Sequence, residues 1–275
     1  MNRIYLFVFI CFLSSNLFAK KIVTVGGSIT ETLVALGHES ELIGVDMSSS
    51  YPEDIVSKLP NVGYWLQLPK EGILSLKPEI VIASEKSKPK KFVDSLPSYG
   101  IKTFLIEDKP TLESAKTKIM QVATALNEKK KAEEIIKRIE VNVKKVNDEI
   151  KHKDSKPKVL FLFSRTKGLM MAAGVKTKAG AMIKLAGGKN VITQDNFTKI
   201  SEESILKMNP DVIIISDHSK AGLSNSKAIS STNAGKESQI YSMDMLLISG
   251  FTVRVDEALQ ELSCMFNKNK LSFCK

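Results

Sequence analysis

The chain has 275 residues, 43% of them apolar and 25% charged, and its 40 Lys and Arg against 30 Asp and Glu leave a formal charge of +10. This globular composition excludes wholesale disorder, collagen and a disulfide-dense miniprotein. A multi-span membrane protein is excluded too, because only the extreme N-terminus is continuously apolar. The excess positive charge points to an anionic partner without saying which.

Residues 1–19 carry Arg3, an apolar run from Ile4 to Leu13, and Ala19 just before Lys20 and Lys21. A short positive region, a short apolar core and a small residue at the junction make a cleaved secretory signal peptide. The mature chain is expected to start near Lys20 and to reside in the periplasm. Cys11 leaves with the signal. Cys264 and Cys274 remain, and in an exported protein such a pair can form a disulfide or persist as two thiols.

From residue 20 the elements alternate. IVTV (22–25) reads as a strand ended by Gly26 and Gly27, and Ser28 can cap a helix that contains Glu31 and ends near Gly37. LIGVD (42–46), EIVIAS (79–84) and TFLIED (103–108) are further strands. Strands alternating with helices indicate parallel βαβ units. Between Thr111 and Asp154 Gly and Pro vanish, and Ile119, Val122, Ala123, Leu126, Ile135, Ile136 and Ile139 recur at helical spacing. This is one long helix or two abutting ones, with a solvated Lys/Glu face rather than a nucleic-acid surface. After Pro157 the alternation restarts with VLFLF (159–163), LAGGKNVI (185–192) and DVIIIS (211–216).

Glu71 to Ser84 aligns without gaps on Glu203 to Ser216. Both segments read as a short helix opened by a carboxylate, a Pro that stops it, and a buried strand. One copy in each half implies two lobes of like topology. The expected architecture is therefore α/β: two βαβ lobes with parallel sheets, 20–110 and 157–275, bridged by one long α-helix within 111–156. A ligand belongs in the cleft between the lobes, at the C-terminal ends of the strands. This is the layout of a solute-binding protein, and a helical bridge implies little closure.

The loop Leu59-Pro-Asn-Val-Gly-Tyr-Trp-Leu-Gln-Leu68 places Tyr64 and Trp65, the single Trp of the chain, after a Gly at the mouth of the first lobe. Adjacent aromatics in such a loop suit a flat apolar ligand or cover their own lobe's core. A Tyr oxygen can also ligate haem iron. GxSxG, P-loop, GxGxxG and HExxH patterns are absent, and His38, His152 and His218 are too scattered for a zinc site, so an enzyme is not expected.

Several segments resemble one family: VGGSITETLVALG (25–37), LIGVD, LPNVGY (59–64), EGILSLKPEIVIASE (71–85), AAGVKTKAGAMIKLAGGKNV (172–191) and SGFTVR (249–254). The chain, from about Lys21 to Phe266, is similar to the periplasmic haem-binding proteins of bacterial ABC importers, within a wider group that binds cobalamin and ferric siderophores. The resemblance implies that haem is the transported ligand, that Tyr64 is the axial ligand of its iron, and that Arg254 lies near the cleft, where a guanidinium fork suits a propionate. Some relatives carry an Arg two residues after the Tyr, where Leu66 stands, and a second-lobe His near Ser164 and Arg165, where none stands. Tyr64 is therefore expected as the single protein ligand, with Trp65, Arg165, Met170, Met171 and Phe251 completing the pocket. Lys86, Lys88, Lys90 and Lys91 add positive charge that attracts an anion or is simply solvated. Glu71 and Glu203, one per lobe, match carboxylates that dock on a permease in the wider group. The implied partners are haem, an ABC permease with its ATPase and an outer-membrane haem receptor system upstream, with no nucleic acid; cobalamin or a ferric siderophore is the alternative ligand.

Overall fold

A computed structural model describes residues 20–274 apart from 152, 154–155, 165–168 and 224–225. The expected signal peptide, His152 and Arg165 lie outside the described residues.

The first half runs β1 (Ile22–Val25), α1 (Gly27–Ala35), β2 (Leu42–Val45), α2 (Glu53–Val56), α3 (Lys70–Leu74), β3 (Ile80–Ser84), α4 (Lys90–Ser95) and β4 (Lys102–Ile106). The four strands form one sheet in the order β2-β1-β3-β4, every pair parallel. Strands β1 and β3 are buried along their whole length, which is why they are continuously apolar rather than alternating. Helix α1 begins at Gly27 without the expected Ser28 cap. Its leading amides are met from the end of β2 instead: Gly26 N–H donates to Asp46 Oδ1 at 2.8 Å and Gly27 N–H to Ser48 Oγ at 2.8 Å.

The next segment is two helices, α5 (Leu112–Leu126) and α6 (Lys129–Ile150). Thr111 caps α5, and Asn127, in a left-handed conformation at φ 65°, ends it. The chain then folds back, so that Lys116 of α5 pairs with Glu140 of α6 at 3.0 Å. The bridge is thus α6 alone, 22 residues or about 33 Å, and not all of 111–156. Lys131 near its start donates to Leu36 O of the first half at 2.8 Å, and Asn142 further along donates to Asp256 of the second at 2.7 Å.

The second half contains β5 (Lys158–Ser164), β6 (Met170–Ala172), α7 (Lys178–Leu185), β7 (Lys189–Asn190), β8 (Thr198–Lys199), α8 (Glu202–Met208), β9 (Val212–Ser216), α9 (Lys220–Leu223), α10 (Lys227–Ser231), α11 (Asn233–Lys236), β10 (Ile240–Met243), α12 (Met245–Gly250) and α13 (Val255–Phe266). Its sheet is mixed, which corrects the expectation of two parallel sheets. Strands β7, β9 and β10 extend the parallel arrangement around β5, whereas β6 and β8 run antiparallel. The chain leaves β5 and returns along it as β6 within a few residues, too few for a parallel crossover.

The repeat is structural. Helix α3 leads into β3 as α8 leads into β9, and the equivalent residues Lys77 and Asn209 both turn left-handed, at φ 49° and 41°, just before a Pro. Each strand separates two apolar layers by its alternation. Ile22, Ile80 and Ile82 share one core with Val159, Phe161, Val212 and Ile214, so a single cluster spans both halves. Val23, Val25 and Val81, and separately Leu160, Leu162 and Ile213, face outer cores under the remaining helices. Cys264 and Cys274 are joined, Cα to Cα 5.6 Å, which holds the C-terminal tail against α13.

Candidate functional site

The loop carrying Tyr64 is built onto the C-terminal end of β2. Val45 N–H donates to Pro60 O, Val62 N–H to Val45 O and Met47 N–H to Gly63 O, at 3.0, 2.9 and 2.9 Å. Gly63 turns the chain at φ 105°, and a Cβ there would lie 2.4 Å from Pro69 Cδ, so glycine is required immediately before Tyr64. The loop is tied on its other side to the segment after β3: Lys88 N–H donates to Trp65 O at 2.7 Å and Leu68 N–H to Lys88 O at 2.9 Å. Tyr64 and Trp65 are half-buried, with their rings edge to face at 5.7 Å. Trp65 packs on the outer core of the first sheet, so it serves partly as that core's cover. Tyr64 is thus a partly exposed phenol on a braced loop.

In the second half, Met170 and Met171 lie opposite Ser164 and Phe163 on β6, both half-buried beside the C-terminal end of β5. The sequence reading missed their aromatic neighbours. Phe163 meets Phe197 edge to face at 5.1 Å, and Phe197 is 43% exposed. Phe163 reads as core in VLFLF, and only the antiparallel return of the chain reveals the pair. His218 is exposed just beyond β9. His38 lies elsewhere, between Glu41 and Glu128 at 3.2 and 3.4 Å.

Two expected ligand contacts have other occupations. Phe251, the left-handed residue at φ 48° that ends α12, is completely buried in the shared core, where it lines no open cleft. Arg254 is bound across the halves: its Nε donates to Glu31 Oε1 of α1 at 2.5 Å, Thr252 Oγ1 donates to the same oxygen at 3.0 Å, and its guanidinium lies 3.7 Å over the Tyr51 ring. Burial raises the Glu31 carboxyl, and Arg254 pulls it back. A buried carboxylate needs its counter-charge, which Arg254 supplies through Nε, while its Nη2 is buried without a hydrogen-bond partner.

A second charged cluster joins the halves. Lys118 of α5 is fully buried, and its ammonium donates to Asp108 Oδ1 at 2.7 Å, Ser28 Oγ at 2.9 Å and Gly250 O at 3.0 Å. Lys178, at the start of α7, reaches both oxygens of the same Asp108 at 2.6 and 2.5 Å. Burial, reinforced by the Lys178 charge, lowers Lys118 to about 8. Burial would raise Asp108, but the two ammonium groups more than reverse this and hold it low. Together with Glu31–Arg254, the cluster fastens the 250–254 segment to α1.

Glu71 and Glu203 are exposed in the first turns of α3 and α8, the mirrored positions the repeat requires. A cavity of about 950 Å³ lies between the start of α5, the end of α6 and α7, and includes none of the expected ligand residues. Among the described residues no three His, Cys, Asp or Glu side chains are grouped to hold a metal ion, and no helix is long and apolar enough to cross a membrane.

Known proteins share this fold. The family model for periplasmic binding proteins matches residues 22–245. The periplasmic haem-binding protein RhuT from Roseiflexus sp. RS-1, solved in its apo form, is 31% identical; the match covers 91% of this chain and 99% of that one with a TM-score of 0.84. YvrC of Bacillus subtilis, an uncharacterised ABC transporter substrate-binding lipoprotein, is 28% identical over 89% of this chain and 79% of its own length. A vitamin B12-binding protein of Yersinia pestis is 26% identical over 72% of this chain and 70% of its own. The chain belongs to the periplasmic binding protein family, as a substrate-binding protein of the ABC-transporter type and not an enzyme.

Proposed function

We propose that this protein captures ferric haem in the periplasm, after export by a cleaved signal, and delivers it to an ABC permease. Tyr64 carries the reading. Tyr64 is half-buried on a loop braced by backbone bonds to β2 and to Lys88, so the loop that carries the proposed ligand is fixed before haem arrives. In this reading the oxygen ligates the iron, and the porphyrin nitrogens supply the equatorial donors that the protein does not. Trp65 on one side, with Met170, Met171, Phe163 and Phe197 on the other, offers apolar and soft surface to the ring. The similarity to RhuT supports the same ligand. Glu71 and Glu203 are the proposed permease contacts, one from each lobe.

Titration with haemin tests the ligand. The expected result is a Soret shift with the charge-transfer bands of tyrosinate-ligated ferric iron, lost in Tyr64→Phe while the fold is retained. The emission of Trp65 should be quenched by energy transfer to bound haem. A Tyr64→Phe protein with an unchanged haem spectrum and affinity would refute Tyr64 as the ligand. The second reading, a corrinoid, is favoured by the similarity to the Yersinia vitamin B12-binding protein. Binding of cyanocobalamin without any haemin shift would establish it in place of haem.

A further inference from the structure

Arg254, one of the cations that the sequence offers to an anionic ligand, is bound through Nε to Glu31 at 2.5 Å. Further positive charge for such a ligand lies in the segment between β3 and α4. Glu85 to Lys91 holds four lysines and one carboxylate. Lys90 is paired with Asp94 at 2.9 Å. Glu85 Oε1 accepts the Asp108 N–H at 3.3 Å. Lys86 and Lys88 are exposed, and among the described residues neither has a carboxylate partner.

These two lysines stand on a braced backbone. Lys86 N–H donates to Ser84 Oγ at 3.2 Å, and Lys88 is bonded through both its N–H and its C=O to the loop that carries Tyr64 and Trp65. Between them Ser87 is 2% exposed, and its hydroxyl has no hydrogen-bond partner. On the other side the Lys86 charge reaches Lys178, which is held on Asp108 together with Lys118. Across the C-terminal ends of β3 and β4 the described residues include the ammonium groups of Lys86, Lys88, Lys109, Lys118 and Lys178 against the carboxylates of Glu85, Glu107 and Asp108, with Lys109 paired to Glu107 at 2.8 Å. Asp108 is already shared by two of the lysines, which leaves the charge of Lys86 and Lys88 uncompensated beside the aromatic loop.

We infer that Lys86 and Lys88 form a carboxylate-recognising subsite next to Tyr64, which selects a flat ligand with paired carboxylates over the same ring with neutral side chains. The inference rests on the haem reading and deepens it. It separates an anionic porphyrin from an amide-decorated corrinoid by charge, independently of the metal. The two ammonium groups are exposed and hydrated, so each contributes modestly, and their strength depends on ionic strength.

The probes are haemin and haemin dimethyl ester, which share the iron and the ring but differ in carboxylate charge. Wild-type protein should bind haemin about tenfold more tightly than the ester at low salt, from two exposed pairings together. Lys86→Glu with Lys88→Glu should abolish that preference by weakening haemin binding at least tenfold, while the affinity for the ester and the tyrosinate spectrum persist. Lys90→Glu, removed from the subsite by its pairing with Asp94, should leave the preference intact. A wild-type protein indifferent to esterification, or a double variant that keeps the preference, overturns the subsite alone and leaves Tyr64 ligation standing. Failure of the wild-type protein to bind either probe overturns the subsite and the haem reading together.

Discussion

Replacing Asp108 by Ala tests whether the buried charge cluster holds the two halves in register. The carboxylate lies 2.7 Å from the Lys118 ammonium and 2.5 Å from that of Lys178. Its removal leaves Lys118 fully buried with Ser28 Oγ and Gly250 O as acceptors but without a bonded counter-charge, the Glu31 carboxylate acting only through space, and beside a second ammonium. Breaking a buried pair from one side costs about 3–5 kcal/mol. The loss has a ceiling, because Lys118 can release its proton. Neutralising a lysine of ordinary pKa at pH 7 costs roughly 5 kcal/mol at 1.36 kcal/mol per pH unit. The expected loss is therefore about 3–5 kcal/mol in urea unfolding followed by circular dichroism, with Tm lower by about 10 °C. Adding Lys118→Met should recover at least about 2 kcal/mol, since the stranded charge is then gone. A loss below about 1 kcal/mol for Asp108→Ala, or no recovery in the double variant, would refute the argument that this cluster is a structural clasp.

Lys118 also makes a pH prediction. Its folded pKa of about 8 lies below the 10.5 of a free lysine, so between these values the unfolded chain binds more protons and this group's contribution to stability rises with pH. Comparison of wild type with Lys118→Met across that window should isolate a rise of about 3 kcal/mol, and parallel curves would contradict it. Arg254→Gln strands the buried Glu31 carboxylate and should lower stability by about 3 kcal/mol at neutral pH, while haemin affinity stays within about threefold; a large loss of affinity in a stable variant would return Arg254 to the ligand. Glu71→Ala with Glu203→Ala should spare haemin binding but impair uptake through the transporter in reconstituted vesicles, and normal transport would leave the two carboxylates only their helix-terminal role.

Local elements were legible in the sequence because their causes are local. The apolar runs IVTV and DVIIIS are strands because parallel strands buried on both faces require continuous apolar side chains. The repeat identified α3–β3 and α8–β9 because a carboxylate, a stop before Pro and a buried strand follow one another at fixed spacing in both halves. The brace around Tyr64 was visible only as Val-Gly-Tyr, of which the Gly63 turn is the physical content. The sequence left one long helix and two abutting ones both open; the reversal at Asn127 was not legible, since helical periodicity continues on both sides and a single left-handed residue turns the chain back.

Pairings between distant residues were decided only by the tertiary structure. Arg254 and Glu31 are 223 positions apart, and no spacing rule relates them. Seen alone, Arg254 reads as a free cation and Glu31 as an ordinary helix residue; folding buries the carboxylate and thereby requires the guanidinium. Lys118 falls within a helical Lys/Glu pattern that reads as solvated, yet its position on α5 places it between α1 and the 250–254 segment, where only Asp108 makes an ammonium tolerable. Phe251 has the side chain of a ligand wall, but packing of the two halves buries it completely in the shared core. Periodicity and spacing thus determined the strands and the repeated helices, which depend on near neighbours, whereas the candidate iron ligand was implied by the family resemblance. Which charges remain available to a ligand depended on burial and counter-charge, and these exist only once both halves are packed together.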